Sequence, residues 1–179
     1  DGFVATVTID RPPINAVSVD LMRDLADALE GLDKDGVTRA VVLATTGKVF
    51  CSGADLSEAA EGSMTEGTRA LIAIQRSILA AAKPVVVVLG GPVRAGGLGI
   101  VGAADIVLAA ESVNFALTEV RLGLAPAVIS ASLLTRMTER AASELFLTAR
   151  KFNAVEAAEV GLVTRVVADA ELGEALETV

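Results

Sequence analysis

The chain has 179 residues, 53% of them hydrophobic, a formal net charge of −8, no histidine and one cysteine, Cys51. The acidic balance argues against nucleic acid or an anionic membrane as a partner. A single cysteine excludes an intrachain disulfide, and the missing histidines disfavour a zinc or copper site. The length predicts one domain over residues 1–179, and the absence of a signal or membrane-spanning pattern predicts a cytoplasmic protein.

Alternating apolar residues predict a first strand at Phe3–Asp10, which Arg11-Pro12-Pro13 ends. Ser18 is predicted to be the N-cap of the following helix. That helix places four leucines on one face: Leu21, Leu25, Leu29 and Leu32. A continuous apolar run at Ala40–Thr46 then predicts a strand that is covered on both faces.

A second helix is predicted from about Thr68 to Ala82, with Leu71, Ile74 and Ile78 together on one face. Pro84 opens the valine-rich run VVVVLGG, which predicts a buried strand. Further strands are predicted at Asp105–Ala110 and Asn114–Leu117.

Helices are predicted at Ser130–Met137, Glu139–Ala149 and Ala154–Val160, and a last strand at Leu162–Val167. Asn153, with a glutamate three residues later, fits the start of the third of these helices. Because strands and helices interleave, the predicted class is α/β with largely parallel pairing.

The stretch Val93–Asp105 contains four glycines, and Gly97–Gly102 matches the G-x-G-x-x-G pattern of dinucleotide-binding turns. That interpretation requires the first glycine at the tip of a strand, followed by a full helix and a second strand. Here the preceding strand ends near Leu89 and the next begins near Asp105, so a complete unit does not fit. We therefore reject dinucleotide binding.

Two interpretations of these glycines remain. They allow positive φ angles and a close approach of helix to sheet, or they expose free N–H groups at the start of a short helix, where a developing oxyanion would bind. Lys83 and Arg94 flank the segment and are candidates for phosphate contacts, although such basic residues are more often plain surface.

A second loop, Val49–Leu56, also follows a strand, and its Gly53-Ala54-Asp55 turn can present another backbone N–H. Asp55 fits a turn residue that bonds local backbone better than a catalytic acid. Cys51 fits a small buried packing residue better than a nucleophile, because no histidine is available to activate it.

Three motifs now occur in order: F-x-x-G-A-D-L from Phe50, G-x-x-x-x-G-G from Gly91, and L-T-E-x-x-L-G-L from Leu117. Together with Arg11–Ser18 and Leu147–Val167, they resemble the enoyl-CoA hydratase/isomerase (crotonase) family over nearly the whole chain. The resemblance implies a spiral of β-β-α units with layered, largely parallel sheets and surrounding helices. Members of the family usually continue with further helices, so we expect residues 1–179 to form the core domain.

The resemblance also implies a CoA thioester as the ligand, no other cofactor, and assembly as a homotrimer or homohexamer. It implies that the N–H groups of Ala54 and Gly96 bind the thioester carbonyl oxygen. The CoA would lie along the segment that includes Pro13, Ile14 and Ala16, and along the backbone of Ala54, Asp55 and Leu56.

Hydratases of the family commonly carry two glutamates, and here Gly99 stands at the first position and Glu119 at the second. Glu119 alone can move a proton beside the thioester, although it also fits a surface residue paired with Arg121. The leading hypothesis is hydration of a 2-enoyl-CoA. The alternatives are an enoyl-CoA isomerase that uses only Glu119, or a non-catalytic acyl-CoA-binding member. If the site has room, we expect Gly99→Glu to gain hydration.

Overall fold

A computed structural model describes residues 2–55 and 64–179. Within them, five parallel strands form the main sheet: β1 (Val4–Ile9), β2 (Ala40–Thr45), β3 (Val85–Leu89), β5 (Ile106–Ala110) and β8 (Arg165–Val167), in the order β1-β2-β3-β5-β8. A smaller sheet contains β4 (Val93–Arg94), β6 (Asn114–Ala116) and β7 (Phe152–Asn153). Strand β6 pairs in parallel with β4 and antiparallel with β7.

The described helices are α1 (Val19–Lys34), α2 (Met64–Ala80), α3 (Gly96–Ala103), α4 (Ala127–Leu133), α5 (Glu139–Thr148), α6 (Ala154–Glu159) and α7 (Leu172–Glu177). A 3-10 turn at Glu119–Leu122 follows β6, and another lies at Asp169–Glu171. Two predicted caps are confirmed: the side chain of Ser18 accepts a hydrogen bond from the Leu21 N–H, and that of Asn153 accepts one from the Glu156 N–H.

The chain repeats one unit, in which a strand of the main sheet is followed by a strand of the small sheet and then by a helix. Strands β3 and β4 lead into α3, and strands β5 and β6 lead through the 3-10 turn into α4. The predicted class, an α/β spiral of β-β-α units with largely parallel sheets, is confirmed.

The core lies between the main sheet and the helices. Val85, Val86 and Val87 are buried, as expected for a strand covered on both faces. Every residue of α3 is buried, with α2 packed on one side of it and α4 on another. This burial places the start of α3, at Gly96, inside the molecule.

One helix prediction is wrong in its bounds: the helix predicted at Ser130–Met137 lies at Ala127–Leu133. The two-residue strands β4 and β7 were not predicted. Among the described residues, no helix combines the length and apolarity needed to cross a membrane.

Candidate active site

Two loops lie side by side at the carboxyl ends of β2 and β3. The Phe50 N–H donates to the Pro92 carbonyl at 3.1 Å, and the Arg94 N–H donates to the Cys51 carbonyl at 2.9 Å. Gly91 is required for this contact, because a Cβ there would lie 2.4 Å from the Lys48 carbonyl oxygen. The backbone pairing therefore fixes the Val49–Asp55 segment against the start of α3.

Ala54 follows this pairing and bridges Val17 in parallel. The Val17 N–H donates to the Gly53 carbonyl at 2.9 Å, and the Asp55 N–H donates to the Val17 carbonyl at 3.0 Å. Since backbone groups of successive residues alternate in direction along an extended segment, the Ala54 N–H points away from Val17. It has no hydrogen-bond partner in the described part of the chain.

Gly96 is the first residue of α3, where N–H groups have no acceptor within the helix. Two nearby amides are engaged: the Ala95 N–H donates to the Ala116 carbonyl at 3.2 Å, and the Leu98 N–H donates to the Ala95 carbonyl at 2.9 Å. Within residues 2–55 and 64–179, the Gly96 N–H has no partner. Ala54 and Gly96 thus each carry an unpaired amide, on loops that are bonded to one another.

The positive φ angle expected of the glycine segment belongs instead to Ala95, with φ 45° and ψ −121°. This conformation is unusual for a residue with a side chain and marks a strained backbone, a feature that clusters at functional sites. The glycines of α3 serve close packing: a Cβ on Gly97 would lie 2.7 Å from the Cβ of Cys51, and one on Gly102 would lie 2.9 Å from Leu133.

Glu119 begins the 3-10 turn that follows β6. Because Ala116 pairs with Arg94 in the small sheet, Glu119 lies at the same sheet end as Gly96. Its Oε2 atom is buried without a hydrogen-bond partner in the described structure. Burial raises the pKa of this carboxyl group above its ordinary value, and the backbone N–H of the same residue partly opposes the shift.

The alternative role for Glu119, a surface ion pair with Arg121, is not observed. The Arg121 guanidinium instead donates to the Ala149 carbonyl at 2.7 Å. Lys83 and Arg94 are similarly engaged in the fold: the Lys83 ammonium donates to carbonyls at the end of α1, and Arg94 donates to the Val93 and Asn114 carbonyls. These two cations are partly buried and hold backbone in place, so the interpretation of them as plain surface residues is wrong.

Gly99 lies one turn beyond Gly96, and the space beside it is filled. A Cβ on Gly99 would lie 2.7 Å from Cγ2 of Ile129 and 3.1 Å from Oε1 of Gln75. Gln75 is buried and accepts a hydrogen bond from the Ser132 hydroxyl at 2.8 Å, and that hydroxyl also lies 3.1 Å from the Gly99 carbonyl oxygen. The room that Gly99→Glu requires is absent, so the condition for the expected gain of hydration is not met.

The segment Pro13–Ala16 lies against the Ala54 loop. The amide of Asn15 donates to the Thr46 and Val49 carbonyls, and the Ser52 N–H donates to the Ile14 carbonyl at 3.2 Å. Pro13, Ile14 and Ala16 are therefore brought beside Ala54, and the Ile14 side chain remains exposed. Leu56, also predicted to contact CoA, lies outside the described residues.

Asp55 forms an ion pair with Arg11, with 2.6 Å between its Oδ2 and the guanidinium. The same guanidinium donates to the Ala16 carbonyl at 2.8 Å. Asp55 thus ties the two segments together, in line with a structural role. Sequence reasoning missed four residues, because each acts through a partner remote in sequence: Arg11, Asn15, Gln75 and Ser132. The last three are buried polar side chains, and this burial is the structural signal that identifies them.

A family model described as enoyl-CoA hydratase/isomerase matches residues 1–178. A probable enoyl-CoA hydratase from Rhizobium meliloti is 36% identical, over 98% of this chain and 70% of its own length. The (7aS)-7a-methyl-1,5-dioxo-2,3,5,6,7,7a-hexahydro-1H-indene-carboxyl-CoA hydrolase of Mycobacterium tuberculosis is 37% identical, over 97% of this chain and 71% of its own. The crystal structure of an enoyl-CoA hydratase from Mycobacterium avium superposes with a TM-score of 0.89 at 42% identity, over 99% of this chain and 69% of that one.

Proposed function

The chain belongs to the enoyl-CoA hydratase/isomerase family, and from that premise we propose that it is a hydratase-like enzyme that adds water to a 2-enoyl-CoA thioester. The observation that carries the proposal is the Glu119 carboxyl group, whose buried Oε2 atom is unpartnered among the described residues and lies at the same sheet end as Gly96. An acid–base residue needs an available oxygen and a pKa moved toward the working pH.

In this proposal the thioester carbonyl oxygen accepts hydrogen bonds from the N–H groups of Ala54 and Gly96. Two features support it: both amides lack a partner in the described structure, and their loops are joined by backbone pairing. Negative charge develops on that oxygen when a nucleophile adds to C3, so fixed donors stabilise the enolate more than the ground state. One such donor contributes about 2.7–4 kcal/mol.

Glu119 then transfers one proton from water to the substrate. Its carboxylate takes a proton from water as the water oxygen bonds to C3, and returns that proton to C2 of the enolate. The C2=C3 double bond becomes a single bond, the carbonyl reforms, and the carboxylate is regenerated. This sequence requires one carboxylate and no cofactor beyond the CoA of the substrate.

We further propose that CoA lies along Pro13, Ile14 and Ala16 on one side and along Ala54, Asp55 and Leu56 on the other. The hydrogen bonds between the two segments, together with the Arg11–Asp55 ion pair, support a preformed groove edge. The exposed Ile14 side chain offers apolar surface there. Assembly as a homotrimer or homohexamer, which the family resemblance implies, completes the proposal.

A second candidate reaction is the isomerisation of a 3-enoyl-CoA to a 2-enoyl-CoA. The closed space at Gly99 favours it, because a site with one carboxylate suits the transfer of a proton from C2 to C4. A third candidate, a non-catalytic acyl-CoA-binding protein, is disfavoured by the retained Glu119 carboxyl group, whose Oε2 atom is buried.

One assay separates these functions. Purified protein is mixed with a 2-enoyl-CoA and, separately, with a 3-enoyl-CoA, and the absorbance of the conjugated thioester is followed. Hydration removes that absorbance from the first substrate, whereas isomerisation creates it from the second. Binding of both thioesters without either change contradicts an enzymatic function.

A further inference from the structure

The thiol of Cys51 lies between the two loops that carry the unpaired amides. Cys51 is fully buried, and its backbone bonds to Pro92 and Arg94 of the neighbouring loop. A Cβ on Gly97 would lie 2.9 Å from its sulfur, so the start of α3 packs directly against this side chain. The site proposed above assigns no role to this contact.

Backbone from both loops lies against the Cys51 sulfur. The Gly53 N–H donates to Sγ at 3.4 Å, and Gly97 of the other loop packs against the same atom. Gly53 immediately precedes Ala54, and Gly97 immediately follows Gly96. The same sulfur atom therefore contacts the neighbour of each unpaired amide.

These two contacts restrict the directions of the neighbouring peptide groups. Gly53 has φ 105°. Glycine adopts positive and negative φ angles about equally readily, so its contacts determine which conformation this residue takes. Holding the Gly53 N–H limits rotation of the peptide that carries the Ala54 N–H. Packing against the Cys51 side chain restricts the Gly97 backbone, directly after the Gly96 N–H.

We propose that Cys51 is a positioning residue whose sulfur, by accepting a hydrogen bond from Gly53 and packing against Gly97, sets the relative directions of the Ala54 and Gly96 N–H groups. This inference rests on the proposed function, because it concerns the carbonyl-binding amides of that function. The thiol does not touch the substrate and exchanges no proton. Its effect is on alignment, and a misplacement of about 1 Å can lower turnover about 10²-fold.

The state of the thiol is consistent with this role. Burial raises the pKa of Cys51 to about 11, which keeps the sulfur protonated and neutral at physiological pH. A neutral thiol is a poor nucleophile but remains a weak acceptor for backbone N–H groups.

The test compares Cys51→Ala, which removes the acceptor, with Cys51→Ser, which keeps one. Val41→Ala is the control, because Val41 is a buried residue at the amino end of β2, whereas Cys51 lies beyond the carboxyl end of that strand. The probe is a conjugated dienoyl-CoA thioester, whose absorbance moves to longer wavelength when its carbonyl oxygen is hydrogen-bonded. Turnover of a 2-enoyl-CoA and thermal unfolding are measured on the same proteins.

We expect the wild-type chain to shift the absorbance of the bound probe, and Cys51→Ala to lose most of that shift. In Cys51→Ala, kcat should fall about 10- to 100-fold while KM changes by less than about threefold. Cys51→Ser should retain most of the shift and of the turnover. Val41→Ala should lower the melting temperature and leave the shift unchanged.

A role in packing alone predicts the reverse order, since alanine is tolerated in an apolar site better than serine. Cys51→Ser that is as impaired as Cys51→Ala, or more so, therefore overturns the inference. A wild-type shift that survives in Cys51→Ala also overturns it and leaves the proposed function standing. A wild-type protein that binds the probe without any shift contradicts the proposed function itself, and this inference with it.

Discussion

Glu119 carries a carboxyl group in a setting that costs stability and favours chemistry. Its Oε2 atom is buried and has no partner among the described residues, and the nearby Arg121 is engaged with Ala149. A purely structural glutamate gains an ion pair or remains in solvent. At the scale of single residues, this is the strongest indication of function in the chain.

Replacement of Glu119 by glutamine removes the acid–base group and retains its shape. We expect Glu119→Gln to lower kcat by about 10²–10⁴-fold, with little change in the affinity for an acyl-CoA. Glu111→Gln is the matched control, because Glu111 is an exposed glutamate outside the site. Near-normal turnover in Glu119→Gln would remove this residue from the mechanism.

The raised pKa of Glu119 also predicts how stability depends on pH. A carboxyl group whose pKa is higher in the folded state than in the unfolded state binds its proton more tightly when folded, so stability declines as pH rises through the folded-state value. We therefore expect Glu119→Gln to melt at a higher temperature than wild type at pH 7. The difference should shrink toward pH 4, as followed by thermal unfolding; a constant difference across this range would contradict the pKa shift.

Helix α3 shows what close packing demands of an element. Its glycines at positions 97, 99 and 102 face Cys51, Ile129 and Leu133 at distances that leave no space for a Cβ. Glycine ordinarily weakens a helix interior by about 0.5–1 kcal/mol relative to alanine. Tight burial among neighbouring elements, rather than intrinsic propensity, accounts for this helix.

Replacing a glycine by alanine should therefore have opposite effects on the free energy of unfolding in α3 and in α1. Gly99→Ala should lower the free energy of unfolding by about 1–3 kcal/mol, because its methyl group would overlap Ile129. Gly31→Ala in α1 should raise it by about 0.5–1 kcal/mol, because nothing lies within 4 Å of the added atom. Denaturant unfolding measures both, and stabilisation by Gly99→Ala would show that the space is open after all.

At the scale of the whole molecule, an exposed apolar surface lies next to the candidate active site. Val120, Leu122 and Leu124 are exposed in and after the 3-10 turn that Glu119 begins, and this turn packs against α5, where Leu147 is 75% exposed. Neighbouring exposed leucines of this kind favour contact with another protein surface. Their position fits the proposed assembly of several copies.

We expect light scattering to give a mass above that of one chain, and Leu122→Glu to reduce that mass because a charge would be buried at the interface. Leu79→Glu is the control, since Leu79 is a leucine of comparable exposure on α2. A wild-type chain that is monomeric at micromolar concentration would contradict the proposed assembly.

Local patterns determined much of this protein. The alternation at Phe3–Asp10, the valine run after Pro84 and the caps at Ser18 and Asn153 predicted strands and helices that the structure contains. These signals act between residues a few positions apart, so a single sequence displays them. The order of the motifs, likewise visible in the sequence, indicated the family and drew attention to Glu119.

Tertiary structure alone decided the rest. The two-residue strands β4 and β7 are too short to carry a periodic pattern, and they form because neighbouring segments offer hydrogen-bond partners. The closure of Gly99 by Gln75 and Ile129, and the pairing of Arg11 with Asp55, join residues that are at least 24 positions apart. Such contacts depend on how complete elements pack, which no local pattern encodes, and they determine which amides and which carboxyl oxygen remain without a partner.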